Sequence, residues 1–159
     1  SIHFPDSLKY KTDGGRTVYG GGGIMPDIFI PVDTSFNSKL YTNLVRKGAL
    51  NRFTTDYALQ HRDEMLKKYA DFAQFNKEFT VGDDLIAGLK KAGEDNKVEW
   101  NEEEFARSEK FIRLQVKALI ARNVYEMQQY YEVMLAEDNG VQKAIEILSN
   151  EKEYKRILK

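Results

Sequence analysis

The chain has 159 residues, 42% apolar and 31% charged, and its 24 Lys and Arg nearly cancel its 25 Asp and Glu to leave a net charge of −1. That is room for one ordinary domain, or for a small domain with a fragment attached, and the near-neutral balance excludes polyanion binding driven by phosphate neutralisation; no nucleic acid partner is expected. The absence of cysteine excludes a disulfide framework, a thiolate metal site and a cysteine nucleophile, and no apolar run approaches the roughly 18–20 residues that span a bilayer.

Composition by position is more informative than composition by total. All three prolines (Pro5, Pro26, Pro31) and six of the eleven glycines fall in the first 31 residues. Two kinds of structure are therefore expected to join near Asp33–Ser35. Lys9–Thr12 leads into the turn signal Asp13-Gly14-Gly15, and Arg16–Tyr19 has the β-branched and aromatic content of a short strand. Gly20, Gly21, Gly22 and Gly23 follow, then Ile24-Met25-Pro26-Asp27 and a second expected strand over Ile28–Val32, with Pro31 suited to an edge. Two such strands around a glycine loop bury too little to stand alone. The glycines do not make a phosphate cradle, because a P-loop needs Lys and Ser/Thr where Ile24 and Met25 stand, and no helix signal follows as a dinucleotide site requires.

Gly15-Arg16-Thr17-Val18-Tyr19-Gly20-Gly21-Gly22-Gly23-Ile24-Met25-Pro26-Asp27 resembles the segment that closes the protease core in carboxy-terminal processing (tail-specific) peptidases, and Tyr10-x-Thr12 fits the versions from Bacteroides-like bacteria. The resemblance covers about the first fifth of the chain, and a helical extension after it is also similar. It implies a parent serine-type peptidase of the cell envelope, periplasmic, with a serine nucleophile, a lysine base and a substrate-gating PDZ domain upstream. The chain starts at Ser1 rather than Met and reads as a piece of that longer protein, inactive by itself. No catalytic, cofactor-binding or metal-binding residue is carried over. Gly15, Arg16, Gly20, Gly21, Gly22, Gly23, Ile24, Pro26 and Asp27 carry over as structural positions only. The implied partners are the upstream protease and PDZ domains, peptide or protein substrates and a second copy of the chain. The expected division is 1–33 for the last strands of the core and 34–159 for a helical accessory domain.

From Ser35 the period turns helical. Phe36, Leu40 and Leu44 mark a first helix ending near Gly48. Phe53, Tyr57, Met65 and Tyr69 mark a second, with Thr54-Thr55-Asp56 as cap-like residues near its start. Phe72, Phe75 and Phe79 read as an aromatic connector, and Val81, Leu85, Ile86 and Leu89 as a short helix that Gly93 terminates in a left-handed cap. Asn101 with Glu104 predicts a capping box, and Trp100 with Phe105 a hydrophobic staple. The helix they open is expected to run to Ala136 before Asp138-Asn139-Gly140 breaks it. Val141, Ile145 and Leu148 mark another helix, and Tyr154, Ile157 and Leu158 a last one. The fold class is mainly α, an irregular helical bundle preceded by a strand, glycine loop and strand.

The remaining chemistry-bearing residues have plainer explanations. His3 and His61 are too far apart for local metal spacing, and His61 falls on its helix's apolar stripe as a boundary histidine. A Ser35–His61 triad lacks a nucleophile elbow, and Ser38 and Lys39 are adjacent on a helix and cannot face one another. Asp83-Asp84 and Glu102–Glu104 sit where helices begin, which the helix dipole explains. Tyr125, Tyr130 and Tyr131 are the expected exposed contact surface. A free-standing helical adaptor with a β-arm is the competing reading.

Overall fold

The computed structural model describes residues 6–21, 26–31 and 38–158, and it is mainly helical with a short two-stranded antiparallel sheet near the N-terminus. The expected positions His3, Gly22, Gly23, Ile24, Met25, Ser35 and Phe36 lie outside the described residues. The chain divides into two compact units, one comprising Ser1–Val32 with Asp138–Lys159 and the other Asp33–Glu137.

In the first unit, β1 (Lys9–Lys11) pairs with β2 (Thr17–Tyr19) in the register Lys9 to Tyr19, Tyr10 to Val18 and Lys11 to Thr17. The predicted strand over Ile28–Val32 is not formed among the described residues, so the strand partner of Arg16–Tyr19 lies before it rather than after the glycines. The reason is local: the Asp13-Gly14-Gly15 turn closes a tight hairpin, with Gly15 N–H donating to Thr12 O at 2.8 Å and Thr12 N–H to Arg16 O at 2.9 Å. Helices α7 (Asn139–Ser149) and α8 (Glu151–Ile157) complete this unit. Asp138 caps α7 by accepting from Val141 N–H at 2.9 Å, and Asn150 caps α8 by accepting from Glu153 N–H at 3.2 Å.

The second unit holds α1 (Lys39–Arg46), α2 (Ala49–Lys68), α3 (Phe72–Glu78), α4 (Asp83–Asp95), α5 (Glu102–Val124) and α6 (Met127–Ala136). Its core contains Leu40 and Leu44 of α1, Met65 of α2, Leu89 of α4, and Ile112, Val116, Ile120 and Val124 of α5, all closed to solvent or nearly so. Phe72, Phe75 and Phe79 belong to a true helix and its end rather than to a connector. Asp71 caps that helix at Gln74 N–H, and Phe75 is fully buried, stacked on Phe79 with ring centres 4.7 Å apart and edge-on to Tyr69 at 5.4 Å.

Three expected boundaries move, each for a physical reason. Helix α2 starts at Ala49, directly after Gly48 at φ 73°, so Thr54 is inside the helix and returns its hydroxyl to Leu50 O at 2.9 Å instead of capping. Gly93 is not the left-handed cap. It stays within α4, where its backbone approaches α1 closely: a Cβ would stand 3.3 Å from Leu44 Cδ2. The left-handed residue is Lys97 at φ 60°, in a Schellman closure with Val98 N–H donating to Gly93 O at 2.8 Å and Lys97 N–H to Glu94 O at 2.9 Å. Finally, the long helix expected to reach Ala136 is broken at Tyr125–Glu126 into α5 and α6.

A lysine in the left-handed region costs about 1–2 kcal/mol relative to its ordinary conformations, a cost that glycine escapes. Lys97→Gly is therefore expected to raise stability by up to about 1 kcal/mol, after allowing for the greater freedom glycine gives the unfolded chain. Urea denaturation of the variant beside the parent checks this through a higher midpoint at unchanged slope.

Candidate functional site

The segment that carries the resemblance is held by a few specific contacts. Gly15 sits in the hairpin turn at φ 81°, and Arg16 N–H donates to Thr12 Oγ1 at 3.2 Å. The Arg16 guanidinium forms an ion pair with the Asp27 carboxylate, so two of the expected structural positions hold each other across the glycine run. Gly20 donates its N–H to Leu8 O at 2.8 Å, and a Cβ there would lie 2.9 Å from the Tyr10 ring, which no side chain tolerates without displacing that ring. Gly21 adopts φ 87°. Both strands of the hairpin are largely exposed, including Tyr10 and Val18. Beyond Pro26 and Asp27, Phe29 is 83% exposed while Ile28 and Ile30 are half-buried, a strand-like alternation without a ladder partner among the described residues.

The groups that could have formed a reactive centre are otherwise engaged. Ser38 is 2% exposed and caps α1, its Oγ accepting from Tyr41 N–H at 3.0 Å and lying 2.8 Å from Ser108 Oγ. Ser108 donates to Glu104 O at 2.8 Å, which leaves Ser38 to donate to Ser108 and fixes the direction of the chain of hydroxyls. His61 stacks on Tyr57 with ring centres 4.2 Å apart and places Nδ1 2.9 Å from Tyr57 O, consistent with a boundary histidine. Among the described residues no cluster of three His, Cys, Asp or Glu could hold a metal ion.

The acidic runs are helix starts with additional work. Asn101 accepts from Glu104 N–H at 2.9 Å as expected, and Trp100 meets Phe105 at 5.1 Å between ring centres. The box is only half made, because Glu104 turns its carboxylate away to accept from Leu40 N–H at 2.5 Å and so closes the start of α1. Asp83 pairs with Arg113, a residue that the sequence gives no reason to single out. From α5, Arg113 donates Nη1 to Val81 O at 2.6 Å, Nη2 to Asp83 Oδ1 at 2.6 Å, and Nε to Glu109 Oε1 at 2.9 Å. Burial alone would lower its pKa, but the hydrogen bonds to Asp83 and Glu109 prevail and hold it above the usual arginine value. Lys117 donates to Asn76 O at 2.5 Å, and burial pushes its ammonium below the usual lysine range.

The expected tyrosine surface is not a single surface. Tyr125 packs edge-on against Phe72 and Phe75, at 5.6 and 5.5 Å between ring centres, and Tyr130 is half-buried and donates to Gln115 Oε1 at 3.3 Å. Tyr131 is exposed. Periodicity could not have separated them, because the break after Val124 rotates α6 out of the phase that α5 establishes.

Two outcomes test these assignments. Arg113→Lys keeps the charge but cannot bond Val81 O, Asp83 and Glu109 together with one ammonium as the guanidinium fork does, so a loss of about 1–2 kcal/mol is expected in chemical denaturation. Glu102, hydrogen-bonded to Lys90 at 2.7 Å, has its carboxyl held below the ordinary 4.5 by that lysine. Its contribution to stability is present above 4.5 and is lost as pH falls through the lowered folded value. Thermal melts of Glu102→Gln from pH 6 to about pH 3 should accordingly decline less steeply than those of the parent.

Compared with known proteins, the chain matches a family model described as a family of unknown function (DUF8443) over residues 40–126, more than half its length. No curated protein and no solved structure matches it.

Proposed function

We propose a role for a chain that belongs to this family of unknown function: it is the carboxy-terminal, non-catalytic portion of a tail-specific serine peptidase. The observation that carries the reading is the segment from Gly15 to Asp27, with its Arg16–Asp27 ion pair, its glycine closed on Tyr10, and after it Ile28-Phe29-Ile30, strand-like but without a ladder partner among the described residues. A segment with this pattern suits completion of a sheet supplied by an upstream protease core. The parent would cleave peptide bonds near protein carboxy termini in the cell envelope by acyl transfer, a serine attacking and a lysine accepting its proton. The helices of 34–159 would support that core, hold protein substrates or partners, or mediate self-association. The exposed hairpin equally suits a helical adaptor whose β-arm joins another subunit's sheet, which makes the discriminating experiment a simple one.

The reading frame that contains Ser1 should encode a PDZ domain and a Ser/Lys pair upstream, and the whole protein should cleave a fluorogenic peptide with a free carboxy terminus. The 159-residue chain by itself should not. Arg16→Ala in the whole protein should lower the rate by loosening the segment, with the variant's fold checked by circular dichroism. A reading frame without that upstream domain would remove this reading in favour of the adaptor, and hydrolysis that co-purifies with the isolated chain would show that the catalytic residues lie within it, against both readings.

A further inference from the structure

The turn between α5 and α6 lacks the residues that ordinarily end a helix. Ala121 to Leu135 contains no Pro or Gly, and Glu126, at the N-cap of α6, makes no side-chain capping bond. The apolar repeat runs through the break, which is why the sequence predicts a single helix from Glu102 to Ala136. The turn also leaves polar atoms stranded. Tyr125 Oη and Gln129 Oε1 are buried with no hydrogen-bond partner among the described residues. What holds the break is tertiary: the Tyr125 ring wedged edge-on against Phe72 and Phe75, and the folding of α6 back along α5.

That return is antiparallel and nested about the turn. Gln115 meets Tyr130 at 3.3 Å and Met134 Sδ at 3.5 Å, and Lys110 reaches Glu137 at 3.2 Å, while Val133 is 2% exposed. An antiparallel contact nested in this way is satisfied equally when α6 comes from another copy whose α5 and α6 run straight through.

The geometry points to a domain-swapping switch: Tyr125–Glu126 is a hinge that straightens to merge α5 with α6, so that each of two copies lays its α6 in the α5 groove of the other. The straight form restores the i to i−4 backbone bonds across the hinge, which are missing in the closed form, and keeps the α5–α6 contacts. Its opposing cost is withdrawal of Tyr125 from the Phe72–Phe75 pocket, so the ring acts as the latch on the closed monomer. The partner is thus a second copy of this chain; Asp138–Lys159 follows α6 in the exchange, so the cost also includes the contacts that segment gives up with Ser1–Val32 of its own copy. This inference does not depend on the peptidase reading.

The test uses the 159-residue chain and the variant Tyr125→Ala, each carrying Lys110→Cys and Glu137→Cys, the chain having no cysteine of its own. A short bis-maleimide linker then joins positions 110 and 137 within one copy in the closed form and between copies in the swapped form. Light scattering coupled to size exclusion should show the dimer association constant rise about ten-fold or more on Tyr125→Ala, as expected for removing two edge-on ring contacts. The linker should convert those dimers into covalent dimers on a denaturing gel. A folded Tyr125→Ala that remains monomeric, or a dimer whose linkers stay within single chains, overturns the proposal. If circular dichroism finds Tyr125→Ala unfolded, the chain with native Tyr125, refolded from urea at high and low concentration, decides: inter-copy linkage at high concentration supports the switch, and monomer alone overturns it.

Discussion

Helix α5 is the element that the second unit is built around, and its burial is the constraint from which the other placements follow. Ser108, Ile112, Gln115, Val116, Ala118, Leu119, Ile120, Ala121 and Val124 are all buried, so this helix presents apolar or paired side chains on several faces rather than along one stripe. Each large aliphatic side chain removed from water contributes about 1.5–3 kcal/mol, and none of that is available unless neighbouring helices cover those faces. Ala118 and Ala121, both fully buried, allow those neighbours to approach closely.

Polar bonds then determine which neighbour sits where. Glu104 reaches from the first turn of α5 to the first turn of α1, and the Ser38–Ser108 hydroxyl pair joins the same two helices. Arg113 holds the approach to α4 through Val81 O and Asp83. Lys117 reaches Asn76 O near the end of α3. Hydrophobic burial has no direction of its own, and these bonds supply it: each lies at a helix end, where backbone groups lack partners within the helix and a misplaced neighbour would leave them unsatisfied.

Much of this was readable from residue order. The periodicity of Leu40 and Leu44, the cap at Asn101, the Trp100–Phe105 staple and the Asp138 break all report local physics, and all appear where that physics puts them. Thr54 and the strand expected over Ile28–Val32 fail for local reasons, and the other failures trace to tertiary contact. Gly93 carries the composition of a cap but lies inside α4 close against Leu44, and Glu104 has the spacing of a capping box but serves another helix. Nothing local breaks the helix at Tyr125; the ring's place among phenylalanines from α3 does. In the candidate segment, the hairpin turn was legible from Asp13-Gly14-Gly15, whereas the Arg16–Asp27 pairing spans the glycine run and has no signature at fixed spacing.

The junction at Trp100 has a practical side as well. This is the chain's one tryptophan, tilted against Phe105 at 5.1 Å with the Lys90 ammonium 5.8 Å from its ring, at the point where α4 ends and α5 begins. An indole held between a ring and a cation has an emission that changes when either neighbour leaves. The chain therefore carries a built-in optical probe of the joint on which its central helix is mounted, and needs no added label for that joint to be followed in solution.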